Sequence, residues 1–158
     1  MLTQLLPDQI SHFWDIIKYA IEQSLPPITH EHPDKMNRIL SSLISGKAQC
    51  WASYNKSEKE IKFEGIVVTR FLYDDVSNTK NLLIYCLYGY QGVNKSSWLH
   101  GLRALTKYAS ANGCKKIIAY TDIPYIINIA QQLNGATSYT FLTFDIDKID
   151  NKINGLEE

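Results

Sequence analysis

The chain has 158 residues, 45% of them hydrophobic and 20% charged, with 16 basic and 16 acidic side chains and a formal net charge of zero. That is one domain's worth of ordinary globular protein, long enough to bury roughly 70% of its unfolded surface without a disulfide or metal staple. The balance argues against a nucleic-acid module, which carries a basic excess. Thirteen of the 16 cations are Lys, Arg38, Arg70 and Arg103 being the exceptions. Arg is the better bidentate reader of phosphate and bases. No apolar run approaches the ~20 residues of a membrane span, and Met1–Asp8 has neither the basic start nor the small-residue cleavage site of a signal peptide. Cys50, Cys86 and Cys114 are odd in number and far apart. They read as free thiols in a reducing, cytoplasmic setting, with no metal site.

In chain order, Leu2–Leu6 is a short apolar run that predicts a first strand. Pro7-Asp8 starts a helix, with the acid near its positive end. Ile10, Phe13, Trp14, Ile17, Ile21 and Leu25 follow at spacings of three and four, one apolar face of a helix to about Ser24. Pro26-Pro27 ends it. Met36, Ile39, Leu40, Leu43 and Ile44 predict a second helix, stopped by Gly46. Three β-rich runs follow, Ala48–Tyr54, Ile61–Tyr73 and Asn81–Tyr90. The polar turns between them are short, which predicts an antiparallel meander.

Gln91–Ser97 is a polar loop in which Ser96 or Ser97 is expected to cap the next helix. Trp98, Leu102, Leu105 and Ala109 give that helix its stripe, and Asn112-Gly113 closes it. Lys115–Thr121 reads as a strand, parallel to its neighbour because a helix separates the two. Ile123–Leu133 is a short helix ended by Asn134-Gly135. In Ser138–Ile146, Tyr139, Phe141 and Phe144 alternate with polar residues and predict a last strand. Asp147–Glu158 reads as a polar tail. The expectation is one α/β domain over 1–146, a mixed and mostly antiparallel sheet flanked by helices in the order β-α-α-β-β-β-α-β-α-β, followed by a tail over 147–158.

No phosphate loop of the Walker type, dinucleotide glycine motif or nucleophile elbow occurs. His30 and His32, with Glu31 and Asp34, read as a solvated loop. Asp145, Asp147 and Asp150 hint at a calcium loop, but Asp150 stands where that loop requires Gly. What remains is a strand–loop–helix corner. A helix N-terminus offers unpaired N–H groups and about half a positive charge to an anion. Gly92, Asn94, Ser96 and Ser97 are small or turn-compatible, and Lys95 adds a cation.

The element order, and above all Leu82–Tyr90, Gln91–Ser97, Trp98–Asn112 and Gly113–Thr121, resembles the GCN5-related N-acetyltransferase family over nearly the whole chain, Leu2 to Ile146. The resemblance implies an acyl-CoA-dependent N-acyltransferase. Acetyl-CoA would lie along Leu87 and Tyr88 and rest its phosphates on Gln91, Gly92, Asn94, Lys95, Ser96 and Ser97. The family's loop reads Gln/Arg-x-x-Gly-x-Gly/Ala. Gln91 fits, Asn94 stands at the first Gly and Ser96 at the second. A Glu near the central strands often serves the family as base, which points to Glu64. The family's Tyr acid has no counterpart: Gln131 falls near its place and Tyr125 comes more than a turn early. Among the strand tyrosines Tyr85, Tyr88 and Tyr120, Tyr88 is the candidate donor. The acceptor would be an amine on a small molecule or protein. The competing expectation is a GNAT-fold protein without chemistry, a binding or assembly part with a protein partner. It could be phage-encoded and virion-associated.

Overall fold

The computed structural model describes residues 1–56, 58–90 and 93–157. The chain forms two compact units, Met1–Ala119 and Tyr120–Glu158.

The first unit opens with β1 (Leu2–Gln4), α1 (Pro7–His12), α2 (Trp14–Glu22) and α3 (Lys35–Ser45). One helix was expected over 7–24; two are found, meeting at Phe13 (φ −102°, ψ 19°). Phe13 leaves helical geometry while its ring packs edge-on against Phe63, centroids 5.1 Å apart. Hydrogen bonds still run across the break, from Phe13 N to Gln9 O and from Ile17 N to Phe13 O, both 3.0 Å. The apolar face therefore continues. α3 ends at Gly46 with φ +81°, a conformation only Gly adopts without strain.

The sheet follows: β2 (Gln49–Lys56), β3 (Ile61–Asp74), β4 (Thr79–Gly89) and, after α4 (Lys95–Ala111), β5 (Ile117–Ala119). Strand order is β1-β2-β3-β4-β5, antiparallel throughout except for the parallel β4–β5 pair. The expected mixed, mostly antiparallel sheet flanked by helices is what forms.

Side chains alternate across this sheet. Cys50, Ala52, Ile66, Val68 and Cys86 pack with Ile10, Ile17, Ile21 and Leu43 of the first three helices. Trp51, Val67 and Leu82 pack with Leu105 and Ala109 of α4. Buried polar groups on the second face satisfy one another: Trp51 Nε1 donates to Thr69 Oγ1 at 3.0 Å, and that hydroxyl donates to Gln49 Oε1 at 2.9 Å.

Burial pushes the Cys50 and Cys86 thiols from 9.0 up to about 12. A thiol held neutral in the fold but free to ionise once unfolded stabilises fully below pH 9.0, and that contribution is lost as the pH rises toward 12. The urea midpoint is expected to be level below pH 9 and to fall steadily above it. A midpoint that stays level through the alkaline range would contradict the burial of these thiols.

The second unit holds α5 (Pro124–Gln132) and α6 (Ile146–Glu157). Pro124 opens α5 where a first-turn Pro is tolerated, and Gly135 N closes it onto Ala130 O at 2.8 Å. The strand expected at 138–146 is not there. Residues 136–145 carry no regular structure, Tyr139 is 91% exposed, and Tyr120 meets Phe141 with centroids 4.6 Å apart. Alternation alone makes no strand where no ladder partner is hydrogen-bonded. Residues 147–157, expected as a polar tail, are helical: Ile146, Ile149, Ile153 and Leu156 recur at spacings of three and four. Among the described residues no helix is long and apolar enough to cross a membrane.

Candidate active site

Two irregularities in the sheet create the site. The first is in β3. Ser53 of β2 pairs with Gly65, but the next residue, Tyr54, pairs with Phe63. Glu64 is therefore the surplus residue of a β-bulge, a feature that redirects a side chain out of strict alternation. Its half-buried carboxylate is gripped from β2: Ser53 Oγ donates to Oε2 at 3.1 Å and Asn55 Nδ2 to Oε1 at 2.5 Å. Gly65, beside it, lets β4 come close, since a Cβ there would lie 3.1 Å from Tyr88 O.

The second irregularity is in β4. Val68 pairs with Cys86 and Thr69 with Ile84, which leaves Tyr85 surplus. The pairing with β5 ends at the same point, at Ile84 and Ala119. The last residues of β4 thus run on past the end of β5. Tyr90 N donates to Glu64 O at 3.0 Å. Antiparallel alternation then turns the peptide groups of Cys86 and Tyr88 toward β3 and those of Leu87 toward the open side.

A cleft of about 620 Å³ lies at this end of the sheet, and Glu64 lines it together with Asn94 and Ser97 of the α4 N-terminus. α4 starts at Lys95, and its cap is Asn94 rather than the expected Ser96 or Ser97: Asn94 Oδ1 accepts from Ser97 N at 2.8 Å. Asn94 holds the extended geometry of a cap (φ −73°, ψ 163°), and this places Lys95, Ser96 and Ser97 in the first turn. Tyr90, the residue after β4, lines the cleft as well, its hydroxyl donating to Ile16 O of α2 at 3.0 Å. Burial pushes the Tyr90 phenol up to about 12.

The structure therefore brings Glu64, Asn94 and Ser97 to one cleft, with Lys95 and Ser96 in the same helical turn. Leu87 and Tyr88 lie on the adjoining strand, not in the cleft wall. The Tyr88 ring stands perpendicular to Tyr19 and to Tyr90, with centroids 5.9 and 5.0 Å away. A hydrogen bond with Tyr19, then burial, raises the Tyr88 phenol above its usual value. Gln91 and Gly92 lie outside the described residues. The contributions of Ser53, Asn55, Ile16 and Tyr90 were not anticipated. Ser53 and Asn55 are two of the four polar residues of β2, Gln49 and Lys56 being the others, so polarity alone did not mark them.

No protein-family model matches the sequence, and no curated protein matches it. Solved structures do match. A probable acetyltransferase superposes with a TM-score of 0.66 at 9% identity, over 92% of this chain and 96% of its own. An aminoglycoside acetyltransferase from an uncultured soil metagenomic sample, in complex with sisomicin, gives 0.65 at 14% identity over 92% and 93%. The aminoglycoside N-acetyltransferase AAC(6')-Iy, in complex with CoA, gives 0.61 at 9% over 92% and 98%. The chain has the fold of the GCN5-related N-acetyltransferases.

Proposed function

We propose that this chain is an acyl-CoA-dependent N-acyltransferase acting on an amine. The observation that carries the reading is the meeting, on one cleft, of a bulge-directed carboxylate, Glu64, with the first turn of a 17-residue helix, α4. Acetyl-CoA would supply an activated acyl thioester. The residues present suit it: first-turn N–H groups and Lys95 suit phosphates, and the Leu87 peptide edge suits an amide-bearing arm. Asn94 at the cap and Ser96 and Ser97 in the first turn would join that phosphate set, with Gln91 and Gly92 added from the sequence alone.

In this reading Glu64 accepts the proton the amine gives up as the C–N bond forms, directly or through a water. The Leu87 N–H faces the open side of β4, where it would polarise the thioester carbonyl. Tyr88, on the strand beside the cleft, would return a proton to the thiolate released when the C–S bond breaks, its raised phenol being protonated at neutral pH. Tyr19 is its hydrogen-bond partner. The cleft would hold the amine and the adjoining β4 edge the thioester, and bringing two reactants together is the larger part of such catalysis.

One observation favours a second reading, a fold kept for binding or assembly without chemistry. The Ser97 N–H, a donor that a phosphate would want, is already taken by the Asn94 side chain. Thermal unfolding with saturating acetyl-CoA, and with ATP as the anionic control, separates the two. Ligand at a hundredfold its Kd stabilises by about 2.7 kcal/mol, a shift of several degrees for a chain of this size. The transferase reading expects that shift with acetyl-CoA and not with ATP. No shift on a folded sample would remove the cofactor and leave the second reading.

A further inference from the structure

The wall of the cleft narrows the acceptor, given the acyltransferase reading of what happens there. Ile16, Ile61, Phe63 and Val93 line it together with Tyr90. Three of its polar groups are already engaged. The Tyr90 hydroxyl is committed to Ile16 O, the Asn55 amide to Glu64, and the Asn94 amide oxygen to Ser97 N. Tyr90 thus offers the cleft a ring more than a hydroxyl. Glu64 is the single carboxylate among the described lining residues, and Lys62 brings one positive charge to the same cleft. An ionised carboxylate has about four acceptor positions. Two of those on Glu64 are used, by Ser53 and Asn55, so it can still receive an N–H donor.

One anion beside the aliphatic and aromatic surface of Ile16, Ile61, Phe63, Tyr90 and Val93 suits one amine on an apolar body. A polycation would find a single acid and would meet Lys62. A hydroxyl-rich sugar would exchange water for groups already engaged and leave its own polar atoms unpaired, which costs binding. We propose that the acceptor of this cleft is a monoamine on an apolar body, an arylalkyl or alkyl amine, and not a polyamino sugar of the kind bound in the soil-sample neighbour.

The test titrates the full chain calorimetrically with phenylethylamine and, separately, with sisomicin, in the absence of acetyl-CoA. Phenylethylamine is expected to bind more tightly, by about tenfold or more, the scale on which site polarity discriminates ligands. Glu64→Gln should weaken it about tenfold by removing a charged acceptor. Ile61→Asn should weaken it too, and Ile61 is 42% exposed, so that variant leaves the core intact. Sisomicin binding as tightly or more tightly, or no binding of phenylethylamine, overturns the inference. The acetyl-CoA thermal shift is recorded on the same sample. If it persists while phenylethylamine fails, the acceptor inference falls alone. If it is absent while phenylethylamine binds, the transferase reading falls and the amine site stands.

Discussion

Glu64→Gln is expected to lower kcat/KM for the amine by about a hundredfold or more, the usual contribution of a positioned general base. The substitution keeps the size of the side chain and removes its ability to take a proton. It also spoils half of the grip: an amide has one acceptor oxygen, while Ser53 and Asn55 both donate to the carboxylate. Acetyl-CoA binding, read as thermal stabilisation, should be unchanged, because the proposed phosphate contacts lie on α4. A rate assay over a range of amine concentration distinguishes the outcomes. A loss carried by kcat and kcat/KM together, with KM little changed, fits a base at position 64. Full activity in the variant would show that the proton leaves by another route.

Ile17→Ala is expected to cost about 2–5 kcal/mol, the range for emptying a fully buried aliphatic site. Ile17 is completely buried, on the face of α2 that packs with Cys50, Ile66 and Cys86. Its neighbour Ile16 holds the Tyr90 hydroxyl through its carbonyl. The melting temperature should fall on the order of 10 °C, at a few degrees per kcal/mol for a chain of this length. Urea or thermal unfolding checks it. A loss below about 1 kcal/mol would mean that α2 can settle into the space, which the close packing of a core resists.

The sheet was legible because its signals are local. Alternation and polar turns marked β2, β3 and β4, and the helix between two apolar strands marked the parallel pair. The identity of Glu64 was legible as well; its direction was not. Whether a strand residue faces one side or the other depends on pairing register, and a bulge is invisible until two strands are laid together. The cap of α4 was misplaced for a related reason. Asn94, Ser96 and Ser97 all favour that position, and only the point where the backbone turns helical chooses among them. At the far end, Tyr139 and Phe141 have the spacing of a strand and Phe144 falls out of step with them, and a strand also needs a neighbour to bond with. The helix over 146–157 had its own signal in Ile146, Ile149, Ile153 and Leu156, outweighed in a sequence reading by the acids and amides between them.

The surplus residue in β3 makes the aim of the Glu64 carboxylate a matter of counting. Substitutions at 64 change what is presented to the cleft but leave two residues of β3 opposite one of β2. Deleting a single residue between Phe63 and Gly65 would restore an even ladder. No surplus position would then remain between those two residues to direct a side chain into the cleft. The site is thus more exposed to the loss of a codon than to most changes within one, and the same is true of Tyr85 in β4, where the strands part.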